Sequence, residues 1–381
     1  MPLPKVSIRL GALIVGLIAT ISACSTTSST STESVDSFSP APIVVGSLAA
    51  ATGSGATYGI SQQRGIALAV NTLADGAIKV VTFDDLSTNA GATAAMASAL
   101  ANDPSAIVGP TLSSGAAAAD PLAQTAGVPV LAASNSTVDI TAIGDMIWRV
   151  ILPDSSMIPQ AVAAAAKSNP IHTAGMVWEP ADSYSAEAAK SFRAAAPTQG
   201  ITISSEAPYI DGSTTIDAVL AKATASKPDA LFLPLRSAVA SDFLKTAAKL
   251  ALPQIKIGGN GFNSMALLTS AGSAADGLIV ATSWNIAESS DASSEFVAQY
   301  REAYGIDPDA FAAQGYAAVQ VLLGAITAGG GSAPTQVQQG LKSLGTLDTV
   351  LGRFSFDDKH NPTYPAVVQV ATNGTFAVFG S

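Results

Sequence analysis

The chain has 381 residues, long for one compact core and comfortable for two lobes. Apolar residues make up 48% and charged ones only 12%, which excludes wholesale disorder; the net charge of −10 argues against a general nucleic-acid or anionic-membrane binder. One cysteine and two histidines, His172 and His360, exclude a cysteine-and-histidine zinc site and any disulfide within the chain.

Residues 1–24 read as an export signal. Lys5 and Arg9 form a positive front, and Leu10 to Ile21 is an apolar run shorter than the roughly 20 residues a bilayer crossing needs. The run ends in ISAC and resembles the lipobox of bacterial lipoproteins, which implies diacylation of Cys24; an ordinary secretory signal with a chance cysteine is the alternative. Two or more acyl chains make a stable anchor where one binds only marginally. Residues 25–41 follow, opening with STTSSTSTESVDSFS, a polar low-complexity run that has nothing to bury and predicts a flexible tether.

From Ile43 a rhythm sets in. Apolar runs begin at Ile43, Ile78, Ala106, Val128, Ala174, Ile201, Ala230, Ile255 and Gly277, and they are apolar throughout, as strands covered on both faces must be. Between them lie alanine-rich helix candidates such as Gln62 to Leu73, Ala92 to Ala101, Ser185 to Ala196 and Ser241 to Leu250. This is the βαβ pattern of doubly wound parallel sheets. The rhythm pauses at IWRVILPDSSMIP, a candidate crossing between lobes, and then restarts. After Thr282 long helices are expected, Ser294 to Tyr304 and Asp309 to Ala328; in the second, Phe311, Gly315, Val319, Leu322 and Ile326 share one face. Strand signals return in FSFDD and YPAVVQV, joined by a turn around His360.

No catalytic set assembles. GxSxG and GxxxxGK[ST] are absent, and TGSGATYG has its third glycine misplaced for a dinucleotide fingerprint. His360, in DDKHNP, reads as a solvated turn residue, and His172 is equally bland. Asp84 and Asp85 end a strand and read as a cap or turn. The expectation is a non-enzyme without metal or cofactor.

Five segments, in order, carry a resemblance to type I periplasmic binding proteins of ABC importers, in particular the branched-chain amino-acid binding (leucine-binding protein-like) branch. They are SLAAATGSGATYGISQQRGIALAVN, VVTFDDLSTNAGATAAMASAL, AIVGPTLSSGAAAADPLAQTAGVPVLAASNS, MVWEPADSYSAEAAKSF and FVAQYREAYGIDPDAFAAQGYAAVQVLLGAI. The resemblance implies an α/β fold of two doubly wound lobes joined by three crossovers, with residues 42–155 and 283–349 as lobe 1 and 156–282 and 350–381 as lobe 2. It implies closure on a small carboxylate such as a branched-chain amino acid, delivery to an ABC permease, and a lipid-anchored, extracytoplasmic location. Lipoproteins of this fold that activate cell-wall synthases or sense ligands are the alternative.

The same resemblance nominates ligand contacts. Gly109 ends a buried strand and Ser113 or Ser114 opens a helix, whose free N–H groups suit a carboxylate, although serine is also an ordinary N-cap. The match makes Ser114 the leading carboxylate contact and adds Ser134 and Ser136 from AASNST, Tyr58 from TGSGATYG, and Tyr184 as the aromatic of lobe 2 that closes over the ligand. Two positions depart from the family pattern. Asn260 stands where an acid usually meets the α-ammonium, and Arg236 where an aromatic or small residue is usual; Arg236 either faces the cleft or snorkels to solvent. Trp284 reads either as a pocket wall or as core.

Overall fold

The computed structural model describes residues 42–380; the leader, Cys24 and the whole tether lie outside them. The first half of the chain builds one sheet. Its elements are β1 (Ile43–Ala49), α1 (Ala56–Leu73), β2 (Ile78–Asp84), α2 (Asn89–Leu100), β3 (Ala106–Val108), α3 (Ser113–Ala126), β4 (Val130–Ala132) and β5 (Ile147–Arg149). All five strands run parallel in the order β2-β1-β3-β4-β5. β5 lies in the stretch where the apolar rhythm pauses; its buried Arg149 interrupts the apolar run.

The uninterrupted apolar runs have a direct cause. Successive side chains leave opposite faces of a strand. Val45, Val108 and Leu131 pack on one side with α1 and the long C-terminal helix, while Leu48, Ile107 and Val130 pack on the other with α2 and α3. Gly109, directly after β3, has φ +117°, and a Cβ there would run into the Leu48 carbonyl. Only glycine permits that approach of β1 and β3.

α4 (Asp154–Ser168) leads into a second sheet made of β6 (Thr173–Trp178), β7 (Thr202–Pro208), β8 (Ala230–Leu233), β9 (Ile255–Gly258) and β10 (Ile279–Thr282). These alternate with α5 (Ser183–Thr198), α6 (Ile216–Ala223), α7 (Ser237–Lys249) and α8 (Met265–Ala271). The parallel order β7-β6-β8-β9-β10 repeats that of the first sheet strand for strand. The chain then returns through α9 (Asp291–Tyr304), α10 (Ala310–Gly329) and α11 (Pro334–Ser343), with α10 packed along α1. β11 (Leu347–Thr349) and β12 (Gly352–Phe354) form a small hairpin, and β13 (Val367–Thr372) and β14 (Thr375–Val378) add antiparallel to the edge of β10. The result is two doubly wound α/β layers linked by three crossings.

The C-terminal turn departs from expectation. Only Phe354 of FSFDD lies in a strand, β12, and a single bridge, Phe356 to Pro362, closes the turn before YPAVVQV runs into β13. His360 is half-buried rather than solvated. Its ring stacks on Trp148 with centroids 3.7 Å apart, and its Nδ1 lies 3.0 Å from the Ile147 carbonyl. The turn docks on β5, so its composition serves packing as well as chain reversal.

Candidate ligand-binding site

In an open parallel sheet of this strand order, the loops after the two strands that flank the reversal diverge and leave a crevice at the carboxyl ends. Here the reversal falls between β1 and β3 in the first sheet and between β6 and β8 in the second. Loops from both reversals line a small cavity.

On the first rim the polar side chains are largely committed to holding the loops. The Thr111 amide donates to Asp85 Oδ2 at 3.0 Å, its Oγ1 accepts from the Ala50 amide at 2.9 Å, and its carbonyl accepts from Ser134 Oγ at 2.7 Å. Asp84 likewise accepts from the Ala51 and Leu86 amides, so the acid pair anchors turns, as its strand-end position suggests. Ser136 is buried away from the cavity wall and donates to Asp154 Oδ2 at 2.8 Å. Arg149 fastens this loop from below, donating to the Thr137 and Val138 carbonyls and to Asn361 Oδ1 at 2.6, 3.1 and 2.7 Å.

What the first rim leaves open is backbone. α3 begins at Ser113 with Leu112 as its N-cap residue and no side-chain cap, so neither serine serves as the cap. Among the described residues the amides of Ser113, Ser114 and Gly115 have no acceptor, as the first turn of any helix requires unless something caps it. The serine on the cavity wall is Ser113; Ser114 is half-buried and does not line it. Adjacent helical residues point about 100° apart, so the choice depends on where the helix starts.

The second rim is built from side chains. Tyr184 sits in the first turn of α5, whose N-cap Asp182 accepts from the Ser185 amide at 2.8 Å. Arg236 occupies the N-cap position of α7, is 7% exposed, and forms part of the cavity wall; it does not snorkel to solvent. Its Nη2 is ion-paired with Asp182, out of line for a hydrogen bond, and its Nε is sealed from solvent without a partner. The counter-charge therefore comes from the loop after β6, not from the position after β9. That position is Asn260, buried on the cavity wall with its Oδ1 accepting from Asn263 Nδ2 at 3.0 Å.

The rims are joined at Gly261. Its amide donates to the Tyr184 hydroxyl at 2.7 Å, and its carbonyl accepts from the Tyr58 hydroxyl at 2.8 Å. Tyr58, on α1, also accepts from the Ser237 amide at 2.5 Å, so one phenol spans from the first sheet's helices to the second's. A Cβ on residue 261 would strike the Leu235 carbonyl, which reserves the site for glycine. Burial raises both phenols above their ordinary range, and they stay neutral. Tyr58, Leu112 and Phe311 supply the apolar wall, the two rings lying 4.6 Å apart.

Of the nominated residues, Tyr58, Ser134, Tyr184, Arg236 and Asn260 meet at this cavity, whereas Ser114 and Ser136 do not line it. Trp284 is also absent from it; the indole is buried against Phe296 and donates to Ser293 Oγ at 2.9 Å. The sequence reading missed Asp182, although ADSYS before an alanine-rich run is an N-cap signal. It also missed Asp154, a buried carboxyl whose pKa rises to about 7 because burial outweighs the Ser136 hydroxyl, the Asn260 amide and Arg149.

Paired α/β layers with facing crevices are the architecture of a solute-binding clamp. The family model for periplasmic binding proteins matches residues 42–375, and the chain belongs to that family. It is similar to Leu/Ile/Val-binding protein homolog 1 of Brucella suis, 36% identical over 112 residues, 29% of this chain and 30% of the relative. The matched segment thus spans under a third of that relative. LivJ from Streptococcus pneumoniae, solved in complex with isoleucine, is 26% identical with 89% of this chain and 98% of that chain covered and a TM-score of 0.83. An R. palustris solute-binding protein solved in complex with benzoate shares the fold at 21% identity, with 89% and 96% covered and a TM-score of 0.82. Proteins of this family bind solutes rather than transform them, and the chain is not an enzyme.

Proposed function

We propose that the protein is a lipid-anchored, extracytoplasmic receptor that delivers a small carboxylate to an ABC importer. The observation that carries this reading is the cavity between the two strand-order reversals, with an uncapped α3 N-terminus on one wall. A helix end of this length favours an anion through free N–H groups and the aligned peptide dipoles. In this reading residues 42–155 with 283–349 form one lobe and 156–282 with 350–381 the other. The packing of α4 on strands of the second sheet and of α10 on α1 supports that division. The lobes close by hinge motion on a bound solute and present the closed form to the permease. The branched-chain amino-acid names and the benzoate complex among its relatives support a small carboxylate as the solute class.

A thermal-shift panel of amino acids and of aliphatic and aromatic carboxylates tests the reading on the full chain. A ligand at 100 times its Kd stabilises by about 2.7 kcal/mol, well within detection. A panel in which nothing shifts the melting temperature would sink it. The anchor is tested separately: Cys24→Ser is expected to release the protein from the membrane fraction without altering its melting temperature. Unchanged membrane retention would remove the lipid from the proposal.

A further inference from the structure

Resting on the receptor reading above, we infer that the solute is a monocarboxylate without a free α-ammonium and with an uncharged hydrogen-bond acceptor at its far end. The specificity residue that reads this acceptor is Arg236, through Nε, with Asp182 holding the guanidinium in place.

Three observations converge. First, no carboxylate lines the cavity, and the one amide at the usual acidic position has its carbonyl occupied by Asn263. A buried ammonium would be left without a counter-ion, a costly arrangement. Second, Arg236 is the sole charged group on the wall, yet it is already ion-paired with Asp182. A second carboxylate on the solute would therefore find no unpaired cation to meet it. Third, the Arg236 Nε is buried with no acceptor, and an unsatisfied buried donor is destabilising until something answers it. A hydroxyl, ether or carbonyl oxygen answers it without adding charge.

The remaining walls set the body of the molecule. Tyr58, Phe311 and Leu112 form a small apolar surface between the α3 N-terminus and Arg236. Aromatic or branched aliphatic acids with an oxygen remote from the carboxylate match this layout.

Calorimetric titration of the full chain with isoleucine, benzoate, 4-hydroxybenzoate and benzene-1,4-dicarboxylate tests the inference. 4-Hydroxybenzoate is expected to bind roughly tenfold more tightly than benzoate, with isoleucine and the dicarboxylate weakest. Arg236→Met should erase the advantage of the hydroxyl, bringing 4-hydroxybenzoate and benzoate to within about threefold of each other. Asp182→Asn, which keeps the N-cap acceptor, should selectively improve the dicarboxylate. Should Arg236→Met fail to fold, the Asp182→Asn titrations and the wild-type ranking still decide. If isoleucine binds tightest and Arg236→Met weakens all four equally, this inference falls and the receptor reading stands. If none of the four binds and the wider carboxylate panel is also silent, both fall.

Discussion

The two rims of the cavity grow from five parallel strands of the same order in each sheet and yet present opposite chemistry. On the first rim Thr111, Ser134 and Ser136 direct their hydroxyls into the fold, and the helix offers backbone amides. On the second rim the backbone at Gly261 is spoken for by two phenols, and the exposed chemistry belongs to Arg236 and Asn260. A rim made of amides recognises a carboxylate whatever the neighbouring side chains are. A rim made of side chains changes its preference with each substitution. Topology therefore supplies the part of recognition common to many solutes, and the second rim supplies discrimination.

The largest expected effect lies where the rims meet, at Asp154. Its carboxyl accepts from Ser136 on the first rim and lies against the Asn260 amide on the second, and its pKa is raised from 3.8 to about 7. The folded state thus holds a proton that the unfolded chain releases near pH 3.8. Between pH 3.8 and about 7 the folded form binds more protons, so this group's contribution to stability falls as pH rises through that window. The slope is at most about 1.4 kcal/mol per pH unit, and it vanishes outside the window. Asp154→Asn should flatten it, making the variant the more stable form at neutral pH. Urea unfolding of both proteins from pH 4.5 to 8 measures this; parallel curves would mean that Asp154 titrates alike in both states.

Next comes the claim that the first rim works through backbone. Ser113 is the first residue of α3, where a missing N–H costs the helix nothing, and Leu112 before it is already extended, as a residue preceding proline must be. Ser113→Pro therefore deletes one free amide and leaves the helix intact. Charge-assisted hydrogen bonds contribute about 1.5–3 kcal/mol, so affinity for any carboxylate is expected to drop roughly tenfold to a hundredfold. Ser113→Ala, which keeps the amide, should cost no more than about threefold on the same conversion. Calorimetry on the pair decides. Equal losses in both variants would make the hydroxyl the reader and erase the contrast between rims.

These distinctions mark where sequence reasoning reached its limit. Both sheets, their parallel order and most helix ends follow from uninterrupted apolar runs and alanine-rich spacers, and α10 emerges with its bounds nearly intact. Helix starts are harder. α1 begins at Ala56, not Gln62, and α7 at Ser237, not Ser241, because the cavity side takes Tyr58 from the first α1 turn and the N-cap Arg236 of α7, and the openings ATYG and SAVA show no core-facing period. The same blur exchanges Ser113 for Ser114. Arg236 was identifiable as a departure from the family pattern, but its partner was not. Asp182 lies on another strand's loop, and a pairing through space leaves no periodic trace in sequence.

The smallest expected effect separates contacts within a rim from contacts between rims. The Tyr58 hydroxyl joins the rims, donating to the Gly261 carbonyl and accepting from the Ser237 amide, whereas the Tyr184 hydroxyl meets the Gly261 amide inside the second rim. Opening the clamp would return the groups around Tyr58 to water at little cost, so its hydroxyl stabilises the closed form alone. Tyr58→Phe keeps the ring against Phe311 and removes two hydrogen bonds, each contributing about 0.5–1 kcal/mol net. Because apparent affinity scales with the closed population, a loss of roughly tenfold is expected, carried mainly by faster dissociation. Tyr184→Phe should instead lower the melting temperature of the unliganded protein, since its bond persists whether the clamp is open or closed, and should change affinity less. Stopped-flow dissociation with matched thermal melts distinguishes the two. A Tyr58→Phe variant with unaltered dissociation and a lowered melting temperature would make its hydroxyl a fixed part of the fold, and the rims would then be joined before any solute arrives.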